Sequence, residues 1–213
     1  MSNLSEQAKS LREGALTVPN LLSMIRIVLV PFILVFFLKE HYLTAILLVV
    51  LSGVTDFLDG KIARKFNQIS NLGKMLDPLA DKLTQITLAI CYFFAFRAMA
   101  EPLHSFAGIF WFYVAKELAM ILGAVYLLSK NFRPAPANWY GKVATFAYYL
   151  VMILLLCIAP EFGAFSRWYA LPPIAIIVLV SLSVVLTIMA FVSYLPGVVK
   201  QLKEPEEAAS EQD

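Results

Sequence analysis

Four aspartates, Asp56, Asp59, Asp77 and Asp81, lie close together in a chain whose residues are 60% hydrophobic and only 15% charged. On helices, the first two are three residues apart and the last two are four apart, so each pair shares one helix face. Carboxylate oxygens are preferred ligands of hard cations such as Mg²⁺ and Mn²⁺. Two facing pairs therefore predict a site for two metal ions roughly 3.5–4 Å apart.

The elements that must position these aspartates are apolar runs of roughly 20 residues, the length that crosses a bilayer. The runs cover residues 19–38, 43–62, 78–96, 106–128, 143–159 and 171–195. They are continuous rather than alternating, so they indicate helices rather than barrel strands. The sequence thus predicts an all-α integral membrane domain over residues 18–197, a bundle of six transmembrane helices. The second and third helices should be antiparallel neighbours whose carboxylate faces meet.

The two ends of the chain differ from this domain. In residues 1–17, Leu4, Ala8, Leu11 and Ala15 recur at helical spacing. This pattern predicts an amphipathic helix on the membrane surface, although a frayed polar end explains it about as well. Residues 198–213 are acidic and lack aromatic side chains, which predicts a disordered tail.

The basic residues indicate how the bundle is oriented. With six helices, the larger group falls on one side of the membrane: Lys9, Arg12, Lys61, Arg64, Lys65, Lys74, Lys82, Lys130, Arg133, Lys142, Lys200 and Lys203. Only Lys39, Arg97 and Arg167 fall on the other side. The positive-inside rule places the larger group, both termini and the aspartates on the cytoplasmic side. We predict a multi-pass protein of the inner (cytoplasmic) cell membrane.

Small and basic residues accompany the aspartates. Gly60 and Ala63 would let a ligand approach the helix backbone, or equally let another helix pack closely. Gly73 frees the backbone before the third helix. Arg64 can bridge the carboxylates or grip a phosphate with its planar guanidinium. Metal ions and an arginine beside a lipid surface favour a phosphate-bearing lipid as substrate.

The whole stretch reads D-x-x-D-G-x-x-A-R-x(8)-G-x-x-x-D-x-x-x-D, and residues 56–81 fill every fixed position. It resembles the motif of the CDP-alcohol phosphatidyltransferase family. "VPNLLSMIRIVLVP" (18–31) and "LGKMLDPLADK" (72–82) are similar to the phosphatidylglycerophosphate synthase branch, and the second is also similar to cardiolipin synthases. "VAKELA" (114–119) and "NWYGKVAT" (138–145) resemble later positions, with Lys116 where the synthases often have arginine.

The resemblance implies a transferase that displaces CMP from a CDP-linked lipid with an alcohol, using two Mg²⁺ or Mn²⁺ ions. Asp56 and Asp77 would bridge the two metals, Asp59 would bind the first, and Asp81 would bind the second. Asp81 would also act as general base. The residues expected to bind CDP-diacylglycerol are Gly60, Ala63, Arg64, Gly73 and Asn20. Capping of the first helix is the more common role for an asparagine at position 20.

The expected acceptor is glycerol 3-phosphate, a dianion that needs a cationic pocket. The candidates for that pocket are Lys116, Lys142, Arg26, Lys74 and Lys82. Each has a simpler explanation: membrane anchoring for Lys142, Lys74 and Lys82, a local pair with Glu117 for Lys116, and snorkelling for Arg26.

Two other functions stay open. A cardiolipin synthase would use phosphatidylglycerol as acceptor and should need fewer cations. A membrane cation transporter would show metal flux without CMP release, and would leave the spacing of Gly60, Ala63 and Arg64 unexplained. The resemblance also implies a homodimer, and we expect no nucleic-acid partner.

Overall fold

The computed structural model describes residues 17–66, 73–129 and 139–210. These ranges contain helices and turns but no strand, which confirms the all-α prediction. The elements are α1 (Val18–Leu38), α2 (Tyr42–Lys65), α3 (Gly73–Ala98), α4 (Leu103–Phe106), a 3-10 turn (Ala107–Ile109), α5 (Phe110–Ser129), α6 (Trp139–Ile158) and α7 (Pro173–Ser210).

Six segments are long and apolar enough to cross a membrane, as the sequence predicts. They are Val18–Leu38, Tyr42–Ala63, Leu76–Ala98, Leu103–Leu127, Trp139–Ile158 and Pro173–Gly197. The fourth segment joins α4, the 3-10 turn and α5 into one span. The protein is therefore a multi-pass membrane protein.

The start of α1 follows ordinary capping chemistry, although with a different residue from the expected one. The side chain of Thr17 accepts a hydrogen bond from the backbone N–H of Asn20 at 3.4 Å, and proline occupies the first turn. Thr17 rather than Asn20 is thus the capping residue. Asn20 itself is 1% exposed and lies inside the helix.

The order in which the helices pack differs from the prediction. α1 packs against both α2 and α3, α3 packs against α5, and α6 packs against α7. Across the described ranges, α2 and α3 share no extended interface with each other. The two aspartate-bearing helices are therefore joined through α1, whose buried polar side chains include Ser23 and Arg26.

An aromatic cluster fixes the helices near the end opposite the aspartates. The ring of Phe162, in the turn after α6, lies 6.1 Å from Phe37, 5.8 Å from Tyr92 and 6.0 Å from Phe96. Each such pair contributes about 0.5–1.5 kcal/mol beyond its buried area. The cluster packs α1, α3 and the connection after α6 together at this end of the bundle.

At the ends of the domain, the predicted interfacial helix falls on residues 1–16, outside the described residues. α7 continues as helix to Ser210, whereas the acidic composition predicts disorder from residue 198. Alanine, glutamate, lysine and leucine in this segment are good helix formers, which accounts for the continuation.

Candidate active site

The four aspartates lie near one end of the bundle, where α1 begins, α2 ends and α3 begins. Asp56 and Asp59 are in the last turns of the α2 span, and Asp77 and Asp81 are in the first turns of the α3 span. Helix geometry thus brings together residues that are separated in sequence by the α2–α3 connection.

A single arginine on α1 binds three of the four carboxylates. Nη2 of Arg26 lies 2.8 Å from Oδ2 of Asp59 and 3.0 Å from Oδ1 of Asp77. Nη1 forms an ion pair with Asp56. The Arg26 side chain is 2% exposed, so it does not snorkel to the surface. Three negative charges from two helices therefore share one buried cation, which leaves the group with a net negative charge.

Ser23, one turn before Arg26, contacts the same group of carboxylates. Its hydroxyl hydrogen-bonds to Asp77 and lies 3.5 Å from Oδ2 of Asp59. Ser23 also lies 3.1 Å from the carbonyl oxygen of Pro19. Ser23 and Arg26 are three residues apart and share one face of α1, which lies between the two acidic helices.

This arrangement bears on the prediction that Arg26 binds the acceptor phosphate. Both terminal nitrogens of Arg26 face aspartates, and its buried Nε has no hydrogen-bond partner among the described residues. The acceptor role for Arg26 stays a prediction. Sequence reasoning missed its pairing with the aspartates, although an arginine within an apolar span was a signal that it has a partner.

Asp81 is held differently from the other three aspartates. Tyr149 on α6 donates its hydroxyl to Oδ1 of Asp81 at 2.7 Å, and Gln85 donates Nε2 to Oδ2 at 2.9 Å. In the described part of the chain, no lysine or arginine nitrogen forms an ion pair with Asp81. Asp56 lies within electrostatic range of Asp81, which connects Asp81 to the Arg26 cluster.

Two of the predicted acceptor lysines meet at a buried glutamate. Nζ of Lys82 on α3 lies 2.8 Å from Oε2 of Glu117 on α5, and Lys116 pairs with the other oxygen of Glu117. The Glu117 side chain is 2% exposed. The local pair of Lys116 with Glu117 is thus present, and Lys82 joins it from another helix. Glu117 and Lys82 are also within electrostatic range of Asp81.

The remaining predicted site residues are distributed around this centre. Gly60 and Ala63 are partly exposed on α2, and Gly73 is buried at the start of α3. Lys142 is exposed near the start of α6, at the same end of the bundle. The side chains of Arg64 and Lys74 lie outside the described part of the structure.

The donor set has the chemistry that hard divalent cations require, because it offers carboxylate oxygens from two helix ends. As the side chains stand, three carboxylates are paired with Arg26. Within residues 17–66, 73–129 and 139–210, no group of three His, Cys, Asp or Glu side chains is arranged to hold a metal ion. The residues thus fit metal ions by donor type, and metal ions and Arg26 would share the same oxygens.

Comparison with known proteins decides the family. Residues 16–189 match the family model for CDP-alcohol phosphatidyltransferase. The chain belongs to this family. It is therefore a phosphatidyltransferase, as the aspartate motif predicted. No solved structure matches the chain significantly.

Proteins similar to this chain include members of two branches of the family. The chain is 41% identical over 130 residues to a CDP-diacylglycerol–glycerol-3-phosphate 3-phosphatidyltransferase of Aquifex aeolicus, covering 61% of this chain and 70% of the relative. It is 37% identical over 173 residues to a CMP-forming cardiolipin synthase of Streptomyces coelicolor, covering 73% of this chain and 77% of the relative. A rat CMP-forming cardiolipin synthase is 34% identical over 173 residues, covering 73% of this chain and 55% of that protein.

Proposed function

We propose that this phosphatidyltransferase moves the phosphatidyl group of CDP-diacylglycerol to sn-glycerol 3-phosphate. The acceptor hydroxyl oxygen attacks the phosphorus that carries the diacylglycerol, and the bond from that phosphorus to the oxygen of CMP breaks. The hydroxyl proton passes to Asp81, the proposed general base. The products are phosphatidylglycerophosphate and CMP.

The proposed metal ligands are Asp56, Asp59, Asp77 and Asp81, which would hold two Mg²⁺ or Mn²⁺ ions. When bound, these ions supply the positive charge that neutralises the diphosphate and stabilises the departing CMP. The gathering of all four carboxylates at one end of the bundle supports this assignment. The proposed contacts to CDP-diacylglycerol come from residues beside the aspartates: Gly60, Ala63, Arg64, Gly73 and Asn20.

The observation that carries the choice of acceptor is a pair of partly buried lysines, of which Lys82 lies within electrostatic range of Asp81. Lys82 and Lys116 are 17% and 14% exposed and converge on Glu117. Two lysines and one glutamate give this group a net positive charge, which suits a soluble phosphorylated acceptor. The Aquifex relative, whose name includes glycerol 3-phosphate as acceptor, supports the same choice.

Cardiolipin synthesis is the second candidate, with phosphatidylglycerol as acceptor. The Streptomyces coelicolor cardiolipin synthase supports it, because that match spans more of this chain than the Aquifex match does. The two candidates share the attack on CDP-diacylglycerol and differ only in the alcohol.

We also propose that the site faces the cytoplasm from the inner membrane. The helix ends beside the aspartates carry Lys61, Lys65 and Lys142, whereas Lys39 and Arg97 lie at the opposite ends. This distribution favours a cytoplasmic site by the positive-inside rule. The acyl chains then stay in lipid while a water-soluble acceptor reaches the aspartates. A homodimer is proposed from family resemblance alone.

The test is CMP release by the detergent-purified protein with CDP-diacylglycerol and Mg²⁺. Glycerol 3-phosphate, phosphatidylglycerol, inositol phosphate and serine are supplied in parallel, and Asp81→Asn is the control. Release with glycerol 3-phosphate that is lost in Asp81→Asn supports the proposal. Release with phosphatidylglycerol instead moves the function to cardiolipin synthesis. No release from folded protein with any acceptor contradicts both.

A further inference from the structure

The space between α3 and α6 is crossed by tyrosine side chains. The two helices share no extended backbone interface in the described part of the chain. Instead, the Tyr148 hydroxyl donates to the backbone carbonyl of Gln85 at 2.7 Å, and the Tyr149 hydroxyl donates to Asp81. In the opposite direction, the Tyr92 hydroxyl on α3 donates to the backbone carbonyl of Met152 on α6. Of these three hydroxyls, only that of Tyr149 donates a hydrogen bond to a carboxylate.

The two donors to Asp81 use different oxygens. Tyr149 binds Oδ1 at 2.7 Å and Gln85 binds Oδ2 at 2.9 Å, so the plane of the carboxylate is fixed from two helices. An ionised carboxylate has about four acceptor positions, so two remain for other partners. Because both donors are neutral, they orient Asp81 without cancelling its negative charge.

We infer that Tyr149 is a positioning residue that holds the Asp81 carboxylate in the orientation needed to bind a divalent cation and accept the acceptor proton. This inference rests on the proposed role of Asp81. Hydrogen-bonding partners behind a metal ligand commonly change metal affinity or activity about 10–100-fold when they are removed. Tyr149 is the partner of Asp81 that comes from a different helix and therefore couples the position of α6 to the site.

The chain offers a matched control in the neighbouring residue. Tyr149→Phe and Tyr148→Phe each remove one hydrogen-bonded phenolic hydroxyl from adjacent positions of α6. Only the first removes a donor to Asp81, since the Tyr148 hydroxyl binds a backbone carbonyl. A general loosening of the α3–α6 contact would affect both variants, whereas loss of carboxylate positioning would affect only Tyr149→Phe.

The experiment measures Mn²⁺ binding to detergent-purified full-length protein by electron paramagnetic resonance, without lipid substrate, alongside CMP release. Tyr149→Phe should weaken Mn²⁺ binding and lower turnover about 10–100-fold. Tyr148→Phe should change both much less, because its hydroxyl binds a backbone carbonyl and not the Asp81 carboxylate. In an Asp81→Asn background, Tyr149→Phe should have no further effect, because the hydroxyl acts only through that carboxylate.

The outcomes separate this inference from the proposed function. If Asp81→Asn loses Mn²⁺ binding while Tyr149→Phe matches Tyr148→Phe, the positioning role is wrong and the role of Asp81 stands. If Asp81→Asn keeps both Mn²⁺ binding and CMP release, both are wrong. Gln85→Met, which removes the other donor and keeps Tyr149, provides a second variant should Tyr149→Phe not fold. Wild-type Mn²⁺ binding by Gln85→Met would then contradict positioning by neutral donors.

Discussion

Replacing Arg26 with methionine should strongly destabilise the protein when no divalent cation is present. The substitution keeps a long side chain and removes the guanidinium of Arg26, which binds Asp56, Asp59 and Asp77. The three pairs do not contribute equally. The side chains of Asp56 and Asp77 are 58% and 41% exposed, so water screens them and each pair contributes about 0–1 kcal/mol.

The pair with Asp59 sets the size of the effect. Both partners are buried, with side chains 2% and 3% exposed. Removing one partner of a buried ion pair costs about 3–5 kcal/mol, because the other charge stays buried without compensation. For a chain of this length, each kcal/mol corresponds to about 2–4 °C in Tm, so the expected decrease is roughly 6–20 °C.

The assay is thermal unfolding in detergent with a chelator, followed with a fluorogenic maleimide. Cys91 is fully buried, so its thiol reacts when the bundle opens. Arg97→Met, an exposed arginine at the opposite end of α3, is the matched control and should change stability by about 0.5 kcal/mol or less. Arg26→Met/Asp59→Asn should regain most of the loss, since the double change removes both charges of this buried pair.

Equal unfolding temperatures for Arg26→Met and Arg97→Met would refute the reasoning. So would a double variant that is no more stable than Arg26→Met. Added Mg²⁺ should stabilise Arg26→Met more than the wild-type protein, because the metal ions then meet no competing guanidinium at the carboxylates. Equal stabilisation of the two would show that Arg26 and the metal ions do not share a site.

Three further predictions concern the cations and the acceptor. Lys116→Met should raise the KM for glycerol 3-phosphate about 10–100-fold in CMP-release assays. Lys142→Met, at an exposed position, should raise the KM less. Equal effects of the two substitutions would contradict a specific role for Lys116. Glu117→Gln should lower the free energy of unfolding by about 3–5 kcal/mol in the maleimide assay, because Lys82 and Lys116 lose their buried counter-charge. A loss below about 1 kcal/mol would contradict this role of Glu117. Chelation with EDTA should abolish CMP release and added Mg²⁺ or Mn²⁺ should restore it, and activity that survives chelation would argue against a metal-dependent reaction.

The six spans could be predicted from the sequence because each is a predominantly apolar run of membrane-spanning length. Which helices pack against each other could not be predicted from the sequence. Spacing places Asp56 with Asp59 on one helix face and Asp77 with Asp81 on another, but it does not say what lies between those faces. The sequence favoured direct contact of the two helices, and the structure places α1 there instead.

The polar partners inside the bundle were harder to predict for the same reason. Arginine in an apolar span can reach the surface or pair with a carboxylate, and only the tertiary position of Arg26 decides between them. Glu117 was foreseen as a local partner of Lys116, but its contact with Lys82, 35 residues away in sequence, joins α3 to α5. Tyr149 gave no sequence signal, since a tyrosine in an apolar run is as common in packing as in hydrogen bonding.

The structure divides the four aspartates into two groups with different electrostatic surroundings. Asp56, Asp59 and Asp77 share the positive charge of Arg26, whereas Asp81 is bound by the neutral donors Tyr149 and Gln85. No guanidinium of the described residues occupies the oxygens of Asp81, so its remaining acceptor positions are available to the hydroxyl of an acceptor. This difference supports the proposed assignment of the general base to Asp81 on the basis of its partners alone, without reference to the family motif.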